Sequence, residues 1–459
     1  MKKTVDMTVG NPTKTIILFT LPIILNYVFQ QFYALADTAI VSLALGSDAM
    51  TGVNVTGPIS FLMLGFSQGC SSGFGILLSQ FVGAKDEEKM RKSFATSIGL
   101  TIVIALFLTA ISLFCCKPLL NLMETNEQYF DYAYDYINAI FSGLVFSMFY
   151  NLASQILLAF GDSKTPLYIL LISATANLLL DALLFITDWT VAWAGWATVI
   201  SQGLSAVVGF MIIFKKLPVL RLQKEDFFVD GKFALKHLGM GLPMAFQFSI
   251  TSIGLMIQQR AFNLFPPVYS KAQSAGSKIS GIFDGGVIRA FGATMATYCG
   301  QNYGAKRLDR IRQGVRSGFI VGGGLALFSF VTAVGSAYPI ASLLMPKESK
   351  EVWKYVFQYV LTNASNYFFL MLIEFFRLAL QGIGRSFIAT LGGVVELIAR
   401  TAWCLTVGTI SFTWACFSNA SAWISAGLFL MIVFLAVLKK EENVNKTVCE
   451  GVKYEDRTN

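Results

Sequence analysis

The chain has 459 residues, of which 55% are hydrophobic and 14% charged, and its mean hydropathy is +0.61. So apolar a composition excludes a water-soluble globular domain and leaves a polytopic membrane protein. The formal net charge of +8 marks where the loops lie and implies no nucleic-acid partner, because the Lys and Arg fall between apolar runs.

Twelve runs, at approximately 16–44, 54–81, 93–115, 131–159, 166–187, 193–214, 237–262, 272–300, 317–340, 355–383, 388–410 and 416–438, are long enough to cross a hydrocarbon core about 30 Å thick. With both termini in the cytoplasm, 25 of the 35 Lys and Arg lie inside, five outside (Lys117, Lys271, Lys347, Lys350, Lys354) and five within spans. This positive-inside bias predicts an N-in, C-in, multi-pass protein of the cell (inner) membrane. Trp189, Trp193, Trp353 and Trp414 fit an aromatic belt at the outer interface. The first run is too long for a signal peptide and lacks a cleavage pattern. The seven Cys are odd in number and lie mostly inside spans, where a thiol is a small hydrophobe, so no disulfide framework is expected.

The first span carries two costly residues. Pro22 interrupts the hydrogen-bond ladder and makes the helix bendable, and Asp37 puts a carboxylate at lipid depth at a cost of about 2.5–3.5 kcal/mol or more. A helix that is both bendable and protonatable is a candidate moving part, with Pro22 as its hinge.

The chain also repeats. Leu21-Pro22 recurs as Leu242-Pro243 and Gly83-Ala84-Lys85 as Gly304-Ala305-Lys306, both displaced by 221 residues. Gln80 precedes the first triplet as Gln301 precedes the second, and Phe160-Gly161-Asp162-Ser163 aligns with Ile383-Gly384-Arg385-Ser386 at a displacement of 223. Ordered matches at nearly constant offset predict an internal repeat: a lobe over 1–214, a linker over 215–236, a lobe over 237–440 and a tail over 441–459. An even number of spans per copy makes the copies parallel, with a binding site between them and alternating access by rocking. The fold class is thus all-α, twelve transmembrane helices in two parallel six-helix lobes.

Chemistry is sought where the copies differ. Asp37 matches Gln258 and Asp181 matches Cys404, so the deep carboxylates belong to the first copy alone. Asn177 lies one helical turn before Asp181, and Tyr33 one turn before Asp37; Thr198 and Ser201 in the sixth span add oxygen ligands. Such a group can take up and release a proton, since desolvation and a like-charged neighbour both favour the neutral acid, or it can hold a small cation such as Na⁺. Asp131 and Asp135 start the fourth span and read as solvated. In the second copy Glu374 with Arg377, and Glu396 with Arg400, are spaced to neutralise each other along one helix, while Asp284, Lys278 and Arg289 share the eighth span without so clear a pairing. His237, the only histidine, reads as a boundary residue. No transition-metal ligand spacing and no Walker-type loop occur, Gly83-Ala84-Lys85 reading as a loop turn, so uphill work would draw on an ion gradient.

These residues together resemble the multidrug and toxic compound extrusion (MATE) family: Leu21-Pro22 fifteen residues before Asp37-Thr38, Gln80 to Lys85 after the second span, Phe160 to Pro166 before the fifth, Asn177 to Asp181, and Trp196 to Gln202 in the sixth. The likeness spans the whole chain, is specific in the first half, and is closest to the DinF-like branch. It implies a cation or proton site at Asp37, Asn177, Asp181 and Thr198, helix bending at Pro22, and no second ion site in the second lobe, where Gln247, Gln258 and Gln259 stand in the seventh span. The function it implies is a secondary antiporter, not an enzyme, that exports amphipathic, often cationic organic compounds in exchange for H⁺ or Na⁺, without a cofactor, as a monomer in membrane lipid. Tyr33, Gln258, Glu374 and Arg377 are the expected substrate-cavity residues. A lipid or lipid-linked oligosaccharide flippase is the alternative, disfavoured because a pyrophosphate head group calls for a strongly cationic cavity.

Overall fold

The computed structural model describes residues 5–123, 125–185, 190–228, 230–345 and 350–458; Trp189 and Lys347 lie outside them, and of Cys449 only the backbone is described. The described chain is all helix: α1 (Pro12–Leu45), α2 (Ser47–Val55), α3 (Gly57–Ala84), α4 (Glu87–Leu122), α5 (Glu127–Ser142), α6 (Leu144–Ala159), α7 (Lys164–Asp181), α8 (Val191–Lys216), α9 (Gly231–Asn263), α10 (Pro267–Gly281), α11 (Arg289–Gly304), α12 (Leu308–Leu344), α13 (Lys350–Ala364), α14 (Tyr367–Gly382), α15 (Ser386–Leu405), α16 (Phe412–Cys416) and α17 (Ser418–Thr458). Among the described residues, nine helical segments are long and apolar enough to cross a membrane singly, and two bent pairs, α5 with α6 (53°) and α13 with α14 (45°), can cross as broken spans. The twelfth passage is α10 and α11 joined by a π-helical turn, Ile282–Ile288, whose Asp284 and flanking Lys278 and Arg289 account for its polarity. The lipid-facing character of the outer helices is direct: Phe107 and Phe114 of α4 and Ile320 and Leu327 of α12 are mostly exposed, as a hydrocarbon solvent allows.

Local chemistry explains the helix ends. Asn11 accepts the Lys14 N–H (3.2 Å) ahead of Pro12 at the first turn of α1, and Asp86 accepts the Lys89 N–H (3.0 Å) at the start of α4. α3 ends on left-handed Lys85 and α11 is followed, one residue after its cap Ala305, by left-handed Lys306, both at φ 56°, and α6 and α14 are followed by left-handed Gly161 and Gly384. Pro22 and Pro243 lie inside unbroken α1 and α9. The same devices therefore recur at matched positions of the two halves.

The halves exchange an element at the core. The basic-end half of α1 (Ile16, Phe19, Ile23) is buried in the second-half core, α1 packing on α11 and α12, and the matching part of α9 (Met240, Met244, Ala245) is buried in the first-half core, α9 packing on α3. α3 and α9 approach closely at small residues: a Cβ on Gly73 would stand 2.5 Å from the Gly241 backbone, and one on Gly69 2.6 Å from Ala245. The segment between α8 and α9 lies against α4, with Leu220 buried and buried Asp226 paired with Arg91 (3.3 Å).

Candidate functional site

α1, α7 and α8 converge, away from the basic end, on the two deep carboxyls. Asp181 and Asn177 are fully buried and Asp37 is 8% exposed. The carboxyls of Asp37 and Asp181 are in hydrogen-bond contact with each other. Asn177, with its amide oriented to satisfy both ends, donates to Asp181 Oδ2 (2.7 Å) and accepts the Thr198 N–H (3.2 Å). Tyr33 reaches the Thr198 hydroxyl, and Tyr136 of α5 lies near enough to both carboxyls to sense their charge. Neither Asp makes an ion pair among the described residues, and one oxygen of each, Oδ1, is buried without a partner. Two carboxyls in contact without a basic neighbour need a shared proton or a cation, and two unfilled oxygens are ligands for one. Ser201 is turned away, its hydroxyl donating to the Thr198 carbonyl (2.8 Å).

The matching place in the second half is neutral. Gln258 donates to Ser418 Oγ (2.7 Å), and Cys404 meets the same hydroxyl. Asn177 has Arg400 as its counterpart, and Arg400 is held by Glu396 (2.8 Å) close beside Gly254, where a Cβ would stand 2.6 Å from Arg400 Nη1. Arg377 joins the expected pairs into one chain, 3.4 Å from Glu374 and 3.8 Å from Glu396.

This chain forms one wall of a central cavity of about 460 Å³, closed on the other side by first-half residues including Tyr27, Phe61, Gln68 and Gln155. Gln258, Glu374 and Arg377 line it. Tyr33, grouped with them by sequence, instead faces the carboxyls, because it shares the α1 face of Asp37. The carboxyl and guanidinium side chains on the cavity wall are three acids (Asp284, Glu374, Glu396) and three bases (Arg289, Arg377, Arg400).

At the basic end the halves are locked by the repeated motif. Gln80 Nε2 donates to the Gly382 carbonyl (2.8 Å) and Gln301 Nε2 to the Ala159 carbonyl (2.8 Å), each glutamine reaching the α6 or α14 terminus of the other half. Gly83 and Gly304 permit this approach: a Cβ on either would lie 1.8 Å from the carbonyl oxygen of Gln301 or Gln80. The N-terminal arm adds a strap. The Val5 N–H donates to the Gly161 carbonyl (3.0 Å) in the first half, the Met7 N–H to Gln301 Oε1 (3.0 Å) in the second, and buried Arg310 donates to the carbonyls of Met7, Val9 and Gly10.

The MatE family model matches the chain twice, over residues 22–183 and 243–405. The chain belongs to the MATE family. Among its relatives are two Bacillus subtilis (strain 168) proteins: probable multidrug resistance protein YpnP, 28% identical over 67% of this chain and 69% of its own length, and probable multidrug resistance protein YoeA, 26% identical over 68% and 70%. Its fold matches that of a solved outward-facing multidrug resistance MATE family transporter of the MOP superfamily, with TM-score 0.88 and 17% identity over 96% of this chain and 99% of the other. MATE proteins are transporters, not enzymes, and the all-helical, twelve-passage architecture agrees with that assignment.

For this MATE chain, sequence reasoning missed several residues. Tyr136 and Tyr27 carried no signal beyond being aromatic in a span. Gln80 and Gln301 were visible as a repeat, but their crossing needs the two halves docked. Gly83 belongs to a tight helix crossing, not merely to a loop turn. His237 is corrected outright: it is fully buried inside α9, its Nε2 2.9 Å from Ser93 Oγ and its Nδ1 2.9 Å from the Phe233 carbonyl, because α9 begins at Gly231, six residues earlier than the apolar run suggests.

Proposed function

We propose that this MATE transporter is a secondary antiporter of the DinF-like kind, exporting amphipathic organic compounds in exchange for H⁺ or Na⁺ bound at Asp37 and Asp181. The observation that carries the proposal is the buried, mutually contacting carboxyl pair with no basic partner among the described residues and an unfilled oxygen on each acid. Asn177 and Thr198 orient the pair, Tyr33 and Tyr136 cap it, and Pro22 is the hinge of α1. The lobes 1–214 and 237–440, joined by 215–236 and followed by the tail 441–459, rock about the central cavity, with the basic end and both termini in the cytoplasm of the cell producing it and the protein working as a monomer in its cell membrane. Closure of the basic end by Gln80 and Gln301 supports an outward-facing state, in which ion entry from outside neutralises the pair and repacks α1, displacing substrate. The cavity, with aromatic and Met side chains among its lining, suits small organic substrates, and the acidic side chains interleaved with its arginines disfavour a pyrophosphate-headed lipid. The test is efflux of a fluorescent organic cation from proteoliposomes with Na⁺ and pH gradients imposed separately. Drive by one gradient, abolished in Asp37→Asn, is expected; indifference to both, with lipid scrambling in its place, overturns the antiporter.

A further inference from the structure

The segment between α8 and α9 displays apolar surface outside the two cores. Phe227 closes a 3₁₀ turn, Lys224–Phe227, and Phe228 follows it; the two side chains are 63% and 84% exposed. Their setting is fixed. Leu217 and Leu220 are buried in the first-half core, and the Asp226 carboxylate takes Arg91 of α4 (3.3 Å) and the Gln223 N–H (2.8 Å). The depth of that setting follows from two aromatic rings. Phe214, the last apolar residue of α8 before Lys215 and Lys216, packs on Phe94 of α4 with ring centroids 5.9 Å apart. Phe214 and Met211 are exposed on α8, as lipid-facing side chains are, so Phe94 marks the hydrocarbon edge. Arg91 lies three residues nearer the basic end, about 4.5 Å along the helix, inside a headgroup layer about 5–8 Å deep.

Charge around the pair is matched to the same layer. Lys215, Arg221, Lys224 and Lys232 are exposed and make no ion pair among the described residues, whereas Lys216 is taken by Asp162 (3.1 Å). Only two acids of this segment are exposed, Glu225 and Asp230, since Asp226 is buried against Arg91. Adjacent aromatic rings flanked by unpaired bases at headgroup depth have the composition of a segment that lies in a bilayer surface. We propose that the segment between α8 and α9 is a membrane-surface anchor for anionic phospholipid, Phe227 and Phe228 entering the headgroup layer and the four bases holding lipid phosphates. The depth of the seat on α4 favours the bilayer over an aqueous partner. The pair stands directly ahead of Gly231, so the anchor ties the start of α9, the first helix of the second repeat, to the leaflet at the basic end. The inference concerns neither the central cavity nor the coupling ion and is independent of the exporter reading.

The experiment places a bimane fluorophore at Phe228→Cys, or at Glu225→Cys as the aqueous reference, in the full chain with its native cysteines replaced. The labelled chains are held in nanodiscs of phosphatidylcholine with phosphatidylglycerol. Three quenchers are compared: aqueous iodide, phosphatidylcholine carrying a doxyl group near the headgroup, and phosphatidylglycerol carrying the same group. The label at 228 should be shielded from iodide and quenched by the doxyl lipids, and the label at 225 should show the reverse. Doxyl phosphatidylglycerol should be enriched about fivefold over doxyl phosphatidylcholine around the 228 label, the worth of one base at an anionic surface. Arg221→Gln with Lys224→Gln should abolish that enrichment and leave quenching by doxyl phosphatidylcholine unchanged, and Lys224→Gln alone should remove part of it. Iodide reaching 228 as freely as 225 overturns the anchor, because the patch then faces water and suits a soluble protein or a second copy. Equal quenching by the two lipids, or a preference that survives both substitutions, overturns the recognition of anionic lipid.

Discussion

The close approach at Gly83 allows a sharp test of the basic-end closure. A Cβ at this position would lie 1.8 Å from the Gln301 carbonyl oxygen, against an ordinary contact of at least 3.4 Å, so Gly83→Ala must part the ends of α3 and α11 by at least 1.6 Å. The obstructing atom is backbone, and no rotamer relieves it. Parting them breaks the hydrogen bonds from Gln80 to Gly382 and from Gln301 to Ala159. At about 0.5–1.5 kcal/mol net each, their loss shifts the closed-to-open equilibrium by about 1–3 kcal/mol, or roughly 5–150-fold. The state gained is one in which the halves are already apart at this end, so the new methyl group is harmless there. Spin labels on exposed Lys89 of α4 and Arg312 of α12, placed in a chain with its native cysteines replaced, report the separation by pulsed electron resonance. Gly83→Ala should move the distance distribution to a longer, opened population and slow turnover. An unchanged distribution with normal turnover would refute the clamp.

Asp181→Asn should reduce gradient-driven transport at least about tenfold without lowering the melting temperature, since it removes a buried carboxyl that lacks a basic partner; a normal gradient response would exclude Asp181 from coupling. Arg400→Met should destabilise the chain by about 3–5 kcal/mol by leaving Glu396 short of its nearer partner, and the double variant with Glu396→Gln should recover most of that in a thermal melt; no recovery would mean the ion pair is not the cause. Arg310→Ala should expose the amides of Val5 and Met7 to rapid hydrogen exchange while α12 stays protected; persistent protection would show that other contacts hold the arm.

Much of the architecture was legible in sequence because a membrane imposes one crossing length and one loop-charge rule, and because the same devices occur twice. Pro22 and Pro243, Lys85 and Lys306, and the turns at Gly161 and Gly384 recur at matched positions in the structure as they do along the chain. Asp37, Asn177, Asp181 and Thr198 could be grouped from helical spacing and from the cost of burying charge, and the structure brings the four together. What spacing cannot give is contact between helices distant in sequence. Tyr33 has the same four-residue relation to Asp37 that Asn177 has to Asp181, and only the packing of α1 on α8 decides that it faces Thr198 instead of the cavity. Arg377 to Glu396 joins α14 to α15, and no helix-surface rule pairs residues so far apart. The π-helical turn at Ile282–Ile288 likewise has no sequence signature beyond its Gly285-Gly286 pair.

α1 connects the two chemically distinct regions. Its basic-end half is buried in the core of the second half through Ile16, Phe19 and Ile23, and Thr20 donates to Thr294 of α11 (2.9 Å). Pro22 follows at once, with one backbone hydrogen bond missing from the ladder. Tyr27 then lines the cavity opposite Arg289 and Glu374, and Tyr33 and Asp37 complete the carboxyl cluster of the first half. One helix is therefore anchored in one half, passes the cavity, and ends at the paired carboxyls of the other. Under the proposed antiport, a change in the charge of the Asp37–Asp181 pair would bear on the end of α1 that packs on α7, while its other end is buried in the second-half core. Between those ends stands Pro22, the proposed hinge, five residues before the side chain that touches the cavity. Coupling by this route requires no contact between ion and substrate, only that both bias the same bend in α1.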